Sequence, residues 1–247
     1  MAKADTGPGR VRGGRARLLR FLRRQRSRLR ALVMWLALLL VALPLVMTLL
    51  YAFVPPPVTP LMMIRLLQGQ GLQKQWQSLE ELSPNLRFSV IAAEDNLFCS
   101  HRGFDFASLR DAWAERRAGG RSRGASTLSQ QLAKNLFLWP GGGLPRKVAE
   151  AYLTLYLETF LSKQRLLELY LNVAEWGPGV YGAKAAASAH FGKSAGQLSA
   201  REAALMAAVL PNPRHWSAGR PSDYIQRRAG TLQRRVQQLG PLLGCAR

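Results

Sequence analysis

The sequence is poor in the residues that build disulfide frameworks and metal centres. Its 247 residues include two cysteines, Cys99 and Cys245, and three histidines. Two thiols are too few for a disulfide framework or a structural zinc site, and three histidines exclude a histidine-rich metal protein. We interpret Cys99 as an unpaired, small apolar residue, although the sequence does not fix its distance from Cys245.

Acidic residues are also scarce, with 14 Asp and Glu against 35 Lys and Arg and a formal net charge of +21. Hydrophobic residues nevertheless make up 48% of the chain, which is enough for a packed core and excludes a disordered polycation. The positive charge is concentrated at the start, because residues 1–30 hold 11 basic residues and one acid. This basic tail and the remaining chain therefore need separate explanations.

Residues 31–53 form an apolar run that no charged residue interrupts. As a helix, these 23 residues span about 35 Å, enough for a hydrocarbon core of about 30 Å. Pro44 lies within the run, and membrane helices tolerate such a kink. A buried helix of a soluble fold would need a polar face, and a cleaved signal peptide would be shorter and end in a small-residue cleavage site. We therefore predict a transmembrane helix at residues 31–53.

The basic tail sets the expected orientation of this helix. Six arginines lie directly before the apolar run: Arg20, Arg23, Arg24, Arg26, Arg28 and Arg30. The positive-inside rule places them in the cytoplasm and exports the chain after residue 53. The tail also suits contact with anionic lipids. Nucleic-acid binding is the alternative, but Phe21 is the only aromatic residue of the tail that could stack on a base.

Beyond the apolar run, the sequence predicts a Pro-rich spacer at residues 54–60 and one mainly helical domain at residues 61–247. Strand signals are sparse, whereas helical patterns recur at residues 149–161, at residues 201–209 and near the C-terminus. Five apolar residues lie close to the membrane in sequence: Met62, Met63, Ile64, Leu66 and Leu67. Either they join the core or they form a surface that dips into the bilayer.

The first cluster with chemical potential spans residues 92–105. An apolar run ends in Glu94 and Asp95, so we expect one of these carboxylates in a poorly hydrated site. Desolvation raises the pKa of a carboxylate and makes it a stronger base. The alternative is a helix end with two solvated acids.

The second cluster, at residues 124–135, predicts a helix that begins at Ser126 or Thr127. Leucines four residues apart form its buried stripe: Leu128, Leu132 and Leu136. A hydroxyl, two amides and an ammonium group suit a sugar and a phosphate: Thr127, Gln130, Gln131 and Lys134. The alternative is an ordinary solvated face. The basic stretch at residues 116–123 suits either a mobile flap that closes over an anion or a plain surface loop.

The third cluster predicts a helix start at Pro145, with Arg146 and Lys147 in the first turn. Cations oppose the helix dipole there, so their position favours a functional explanation such as a bound diphosphate. Glu150 lies within about one turn of both, and a plain surface ion pair is the alternative. A fourth cluster, at residues 163–193, contains a helix, a glycine-rich turn and a small-residue helix, which we interpret mostly as scaffold.

The order and wording of these clusters resemble glycosyltransferase family 51, the peptidoglycan glycosyltransferases. The family pattern E-D-x-x-F-x-x-H-x-G-x-D is matched by Glu94, Asp95, Phe98, His101, Gly103 and Asp105. The pattern G-x-S-T-x-x-Q-Q-x-x-K-N is matched by Gly124, Ser126, Thr127, Gln130, Gln131, Lys134 and Asn135. The patterns R-K-x-x-E and K-x-x-x-x-E-x-Y-L-N are matched by Arg146, Lys147, Glu150, Lys163, Glu168, Tyr170, Leu171 and Asn172. The resemblance covers nearly all of residues 60–240.

This resemblance implies an all-α, lysozyme-like domain with a small membrane-proximal lobe behind the transmembrane helix. It implies an inverting reaction that polymerises lipid II, a disaccharide-peptide on undecaprenyl diphosphate, into β-1,4-linked glycan. Glu94 is the expected general base, and Glu150 is a second catalytic carboxylate that orients cations or binds the acceptor. The expected substrate- and diphosphate-binding residues are Ser126, Thr127, Gln130, Gln131, Lys134, Asn135, Arg146 and Lys147. The expected supporting residues are Asp95, Phe98, His101, Gly103 and Asp105.

The resemblance also implies partners and a location. The partners are lipid II, the nascent glycan strand, inner-membrane lipids and other proteins of cell-wall synthesis and division, but no nucleic acid. The expected location is the bacterial inner membrane, with a cytoplasmic N-terminus, a periplasmic catalytic domain and sensitivity to the family inhibitor moenomycin. No cofactor is expected, although Mg²⁺ or Mn²⁺ at the diphosphate stays open. The sequence holds no S-x-x-K or K-T-G motif, so we expect a monofunctional enzyme without a transpeptidase domain.

Two rival functions remain open. A glycan-cleaving enzyme of lysozyme-like fold would also place a Glu in a helical domain, but it would not need the grouped cations Lys134, Arg146 and Lys147. A non-catalytic anchored scaffold would be indifferent to a change at Glu94. Assays for polymerisation of lipid II and for degradation of finished glycan distinguish these functions.

Overall fold

The computed structural model describes residues 9–119, 124 and 126–246. Residues 1–8 of the basic tail and residues 120–123 of the predicted flap lie outside the described residues. The chain divides into two compact units, Met1–Met47 and Thr48–Arg247.

The basic tail and the apolar run share one continuous helix, α1 (Gly9–Phe53), which contains Pro44. Within its segment Phe21–Phe53 an 18-residue window has a mean hydropathy of 2.6, and by length and composition the segment is able to cross a membrane. The boundaries predicted from composition at residues 30 and 53 stay predictions.

Helices make up most of the second unit, which confirms the predicted fold class. They are α2 (Pro60–Leu67), α3 (Pro84–Glu94), α4 (Phe106–Arg117), α5 (Leu128–Phe137), α6 (Leu144–Phe160), α7 (Lys163–Val173), α8 (Ala183–Phe191), α9 (Ala200–Val209) and α10 (Asp223–Leu239). Two 3₁₀ segments follow α8 and α10, at Ala195–Gln197 and Gly240–Ala246. In the core, α3 packs against α9 and α10, while α5 packs against α6 and α7.

A small sheet that the sequence did not predict completes this unit. Its strands are β1 (Gln73–Lys74), β2 (Glu175–Gly177) and β3 (Val180–Tyr181), in the order β1-β3-β2. The pair β2 and β3 is antiparallel, whereas β1 and β3 are parallel. Gly179 in the β2–β3 turn has a φ of 70°, and a Cβ atom there would lie 1.8 Å from the carbonyl oxygen of Gln70. The turn therefore requires glycine.

Two interpretations were open for segment 62–67, burial in the core or exposure at the bilayer. Its residues divide into a buried group and an exposed group. Met62 is fully buried in the core, whereas Met63 is 47% exposed and Leu67 is 84% exposed. Helix α2 is thus amphipathic, with one face packed on the domain and one apolar face outside. Contact of this outer face with a bilayer stays a prediction.

The interpretation of Cys99 as unpaired is wrong. Cys99 and Cys245 form a disulfide, with 5.6 Å between their Cα atoms. The 3₁₀ segment that carries Cys245 packs against α3 and α7, so the C-terminus returns to the loop that follows α3. The two cysteines are 146 residues apart, so no local sequence pattern indicates that they pair. Two cysteines are too few for a disulfide framework, but they suffice for a single bond.

Candidate active site

Glu94 is the last residue of α3 and ends a run of buried apolar residues. Its Oε2 atom accepts a hydrogen bond from Nε2 of Gln131 at 2.8 Å. Its Oε1 atom is buried and has no hydrogen-bond partner among the described residues. Burial raises the pKa of the Glu94 carboxyl, against the opposing effects of Gln131, Arg228 and Lys134. The site thus holds a carboxylate of raised pKa with one oxygen left to accept a proton.

Tyr170 fixes the orientation of the Gln131 amide. The Tyr170 hydroxyl, on α7, donates a hydrogen bond to Oε1 of Gln131 at 3.1 Å. Because the amide oxygen is engaged there, the NH₂ group faces Glu94. Burial raises the pKa of Tyr170 well above its usual range, so its hydroxyl keeps the proton that it donates. A hydrogen-bonded chain therefore joins α7, α5 and the end of α3.

Asp95 has different partners from Glu94. Its carboxylate oxygens lie 2.9 and 3.1 Å from Nε2 of His101, and Oδ2 also accepts the backbone N–H of Leu128 at 2.9 Å. Nδ1 of His101 accepts the backbone N–H of Gly103 at 3.1 Å, which leaves the proton on Nε2 and directed at Asp95. Asp95 therefore places negative charge at the N-terminus of α5 and ties the first motif to the second.

Gly103 and Asp105 shape the loop between α3 and α4. Gly103 has a φ of 88°, and a Cβ atom there would lie 2.8 Å from Cγ2 of Thr154. The Asp105 carboxylate accepts the backbone N–H and the hydroxyl of Ser108 at 2.9 and 2.6 Å. These bonds lower the pKa of Asp105 and cap the start of α4. Gly103 and Asp105 therefore determine the conformation of this loop.

Thr127 and Gln130 cap the N-terminus of α5. Of the two predicted capping residues, Ser126 and Thr127, the structure has Thr127. The Thr127 hydroxyl accepts the Gln130 N–H at 3.2 Å, and Oε1 of Gln130 accepts the Thr127 N–H at 3.0 Å. The Thr127 hydroxyl also donates to the Gly103 carbonyl at 2.7 Å. The predicted stripe of Leu128, Leu132 and Leu136 is buried below this cap. The Thr127 hydroxyl and the Gln130 side-chain oxygen thus form hydrogen bonds within the protein, whereas the sequence analysis expected them to bind substrate.

Arg146, Lys147 and Glu150 form an ion cluster on α6. Oε2 of Glu150 accepts from Nη1 of Arg146 at 2.6 Å, and Oε1 accepts from Nζ of Lys147 at 2.5 Å. Nζ of Lys147 also donates to the Ser126 hydroxyl at 2.9 Å. Glu150 is 1% exposed and Arg146 is 6% exposed, so their ion pair is buried, whereas the Lys147 side chain is 45% exposed. Each oxygen of Glu150 holds one cation in place.

Among the three cations predicted to bind the diphosphate, Lys134 differs from Arg146 and Lys147 because it has no ion pair with any described residue. Its ammonium group makes no hydrogen bond or ion pair within the part of the chain that the structure describes. Burial lowers the pKa of Lys134, and Arg146 and Lys147 lower it further, against the effects of Glu150 and Glu94. The ammonium group therefore lies within electrostatic reach of Glu94 and Glu150, pairs with neither, and is available to an anion.

A pocket of about 350 Å³ collects part of the predicted site. Among the predicted substrate-binding residues, its lining includes Gln131, Lys134, Asn135 and Arg146. Ser126, Thr127, Gln130 and Lys147 are not in the lining. Glu94 and Glu150 also lie outside it, but each contacts a lining residue, Gln131 and Arg146 respectively. The lining thus includes cations and amides, and Glu94 and Glu150 each hydrogen-bond one of these lining side chains.

All four motifs lie within the part of the chain that matches a known protein family. The transglycosylase family model matches residues 62–237, which include all of them. This chain belongs to the transglycosylase family. Its members are glycosyltransferases with a helical, lysozyme-like domain, which agrees with the fold described above.

Curated transglycosylases resemble this chain over most of their length. A biosynthetic peptidoglycan transglycosylase of Rhodospirillum centenum is 53% identical over 210 residues, which cover 85% of this chain and 89% of the relative. One of Caulobacter vibrioides is 49% identical over 209 residues, covering 85% and 90%. One of Stutzerimonas stutzeri is 49% identical over 225 residues, covering 89% and 91%.

In this transglycosylase domain the fourth motif serves mainly as scaffold. Nζ of Lys163 pairs with Glu158 at 2.8 Å and lies 4.6 Å from the ring centre of Phe98, which is buried. The side chain of Asn172 hydrogen-bonds both backbone groups of Gln77 at 2.8 and 2.9 Å. These contacts fix Phe98 and the segment before α3 against α7.

Among the lining residues of the transglycosylase pocket to which the sequence analysis assigned no role, four carry a charge or a hydroxyl group close to the predicted site. They are Tyr170, Arg65, Glu175 and Arg214, which all belong to the lining. Tyr170 was within reach, because it stands in the quoted fourth motif. Glu175 lies in the fourth cluster, which we interpreted mostly as scaffold, whereas Arg65 and Arg214 come from α2 and the loop after α9 and stand in none of the four clusters. Among the described residues, no group of three or more His, Cys, Asp or Glu is placed to hold a metal ion.

Proposed function

We propose that this protein is a membrane-anchored peptidoglycan glycosyltransferase that polymerises lipid II into β-1,4-linked glycan and releases undecaprenyl diphosphate. Membership of the transglycosylase family and the names of its relatives support the reaction class. One observation carries the assignment: Glu94 is bonded to Gln131, which lines the same pocket as the unpaired ammonium group of Lys134. A base therefore lies next to a site for an anionic leaving group.

Glu94 acts as the general base. It takes the proton from the 4-hydroxyl of the acceptor GlcNAc while that oxygen attacks the anomeric carbon of the donor MurNAc. The bond from this carbon to the diphosphate breaks, and the configuration inverts. A raised pKa makes the Glu94 carboxylate a stronger base than a solvated one, and general base catalysis typically contributes about 10²- to 10⁴-fold.

The cations serve the leaving group. A diphosphate is a weak base, so it needs neutralisation of charge rather than a proton. Lys134 supplies an unpaired ammonium group, and Arg146 supplies a guanidinium that Glu150 orients at 2.6 Å. This geometry favours, for Glu150, the role of orienting cations over the role of binding the acceptor.

The grouped cations favour this function over glycan cleavage. A cleaving enzyme would have to protonate a sugar leaving group, for which a carboxylic acid suffices. Buried positive charge in the pocket would instead oppose protonation of the neighbouring leaving oxygen. The alternative of a non-catalytic scaffold gives no reason why Oε1 of Glu94 and the ammonium group of Lys134 both lack partners among the residues that the structure describes.

The proposed location follows from α1 and the disulfide. Helix α1 anchors the chain once in the inner membrane, its arginine-rich start stays in the cytoplasm, and the catalytic domain lies in the periplasm. The Cys99–Cys245 bond supports this assignment, because disulfides persist mainly in oxidising compartments. The lipid-linked substrate cannot leave the bilayer, so an anchored domain meets it at the membrane surface.

The proposed enzyme is monofunctional and carries no resident cofactor. The sequence has no S-x-x-K or K-T-G motif, so labelled penicillin should not acylate it. Lipid II, the glycan strand and anionic membrane lipids are its proposed partners, together with other proteins of cell-wall synthesis and division. Polymerisation with Mg²⁺, Mn²⁺ or EDTA tests whether a divalent cation assists at the diphosphate.

The experiment uses the full-length protein in detergent with labelled lipid II. We expect a glycan polymer that lysozyme digests and whose formation moenomycin blocks. The same protein, given finished glycan, should release no fragments. Release of fragments would support the cleaving enzyme. Binding of lipid II without polymer under every condition would support the scaffold.

A further inference from the structure

The stretch of chain that follows α1 packs on the helical domain. Helix α1 ends at Phe53, and the second compact unit begins at Thr48, so this unit includes the end of α1 and the Pro-rich spacer 54–60. Pro56 within the spacer is buried, whereas a free linker would leave it in solvent. We call residues 51–57 the exit segment, because the chain leaves the proposed membrane helix there.

Arg165, near the start of α7, holds the end of α1. The last carbonyl groups of a helix have no partner within the helix, and a cation beside them is favourable. Nε of Arg165 donates a hydrogen bond to the Tyr51 carbonyl at 2.8 Å, and Nη1 donates to Oε1 of Glu168 at 2.7 Å. The Tyr51 ring also stacks on Phe137 at the end of α5, with 6.0 Å between the ring centres. The end of α1 is thus attached to both α5 and α7.

Lys74, on β1, holds the spacer. Residues 55–57 are prolines without a backbone N–H, so their backbone forms hydrogen bonds only as an acceptor. Nζ of Lys74 donates to the carbonyls of Pro56 and Pro57, the latter at 3.0 Å. An ammonium group has several donors and can therefore serve both of these adjacent carbonyls. Lys74 thus attaches the spacer to β1.

Trp76 connects the two attachments. Nζ of Lys74 lies 6.0 Å from the centre of the Trp76 ring, and Cζ of Arg165 lies 5.3 Å from it. A cation over an indole ring is attracted by the negative potential of its face. Trp76 is itself partly buried against the core. Both cations that hold the exit segment are therefore steadied by one aromatic side chain of the domain.

We propose that Arg165 and Lys74 are positioning residues that hold the exit segment on the catalytic domain and so keep the pocket close to the membrane surface. This inference rests on the proposed function, in which a polyprenyl chain ties the substrate to the bilayer. A substrate confined to the bilayer meets the pocket only near that surface, and a loosely tethered domain would spend much of its time elsewhere. Helix α7 links this attachment to the site, because it carries both Arg165 and Tyr170, whose hydroxyl holds Gln131.

The test releases the exit segment in full-length protein reconstituted in liposomes. The variants are Lys74→Met and the double variant Lys74→Met with Arg165→Met. Lys193→Met is the matched control, because Lys193 is an exposed lysine that pairs with Glu202 on α9. Each protein is given two substrates, lipid II in the same bilayer and a lipid II analogue with a short, water-soluble prenyl chain.

The two substrates should respond differently. We expect kcat/KM for lipid II in the bilayer to fall about 10-fold in Lys74→Met and further in the double variant, because release lowers the effective concentration of the pocket at the membrane surface. The soluble analogue reaches the pocket from water, so its kcat/KM should stay near the wild-type value. Hydrogen exchange at the backbone N–H groups of Val54 and Val58 measures release directly and should become faster in both variants. Lys193→Met should resemble the wild type in every measurement.

Several outcomes would overturn the proposal. An equal loss on both substrates would show a general defect, since a positioning role at the membrane affects only the bilayer-bound substrate. Unchanged exchange at Val54 and Val58, or faster exchange with undiminished activity in the bilayer, would also contradict it. Lys74→Met alone decides the question if the double variant does not fold. A wild type that polymerises neither substrate would count against the proposed function, while the exchange rates still decide whether Lys74 and Arg165 hold the exit segment.

Discussion

Gln131 donates its side-chain N–H to Oε2 of Glu94 at 2.8 Å, and this bond connects the middle of α5 with the end of α3. It occupies one oxygen of the carboxylate and leaves Oε1 without a partner among the described residues. It also opposes the effect of burial, which raises the pKa of Glu94. The bond therefore sets both the geometry and the basicity of the proposed base.

Replacement of Gln131 by Met should shift the pH dependence of polymerisation. The hydrogen bond stabilises the ionised carboxylate, so its loss raises the pKa of Glu94 further. A general base works only when ionised, and the acidic limb of the kcat/KM profile should therefore move to higher pH. The profile is measured on lipid II from acidic to neutral pH. Glu202→Gln is the control and should leave the limb in place, because hydrogen bonds from Lys193 and Ser199 lower the pKa of Glu202 to about 2.

Replacement of Glu150 by Ala should destabilise the domain and impair substrate binding. It leaves the buried guanidinium of Arg146 without a counter-ion, and loss of one partner of a buried pair costs about 3–5 kcal/mol. Urea denaturation measures the free energy of unfolding, and labelled lipid II measures affinity. The double variant Glu150→Ala with Arg146→Met should regain part of the stability but not the affinity. A single variant as stable as the wild type would contradict the role of Glu150 as the residue that orients the cations.

Replacement of Thr127 by Ala should weaken the junction between the first two motifs. It removes the cap of α5 and the hydrogen bond to the Gly103 carbonyl at 2.7 Å, at a cost of about 1–3 kcal/mol. Thr127→Ser keeps the hydroxyl and should retain most of the stability. Thermal unfolding of both variants measures the difference, and equal Tm values would show that the hydroxyl contributes nothing.

Removal of the disulfide should lower stability without altering the chemistry. The double variant Cys99→Ser with Cys245→Ser frees a long loop and should lose about 2–5 kcal/mol. Dithiothreitol should lower the Tm of the wild type and leave that of the double variant unchanged. If reduction has no effect on the wild type, the bond is absent in the purified protein.

Features with local causes were predictable from sequence. The start of α5 follows from the Thr127 and Gln130 capping box, and its buried face follows from leucines at fourfold spacing. The burial of Glu94 follows from the apolar run before it. Each of these signals lies within about 12 residues, where periodicity and capping operate.

Features that join distant parts of the chain were not predictable in this way. The pairing of Gln73 with Val180, the Cys99–Cys245 bond and the approach of Arg65 to Glu175 each depend on how the helices pack. The capping role of Thr127 also competes with its expected role in substrate binding, and only coordinates show which partners the hydroxyl has. Residue types in a motif thus identify the site, while packing divides its members between binding and support.

The central claim is that Glu94 is the general base, and the variant Glu94→Gln tests it most directly. The measurement pairs lipid II polymerisation with lipid II binding in full-length protein. We predict a loss of polymerisation of about 10²-fold or more, with binding and Tm unchanged, because the amide keeps the shape of the side chain but cannot take the proton. Turnover near that of the wild type in a variant that binds and folds normally would contradict the account.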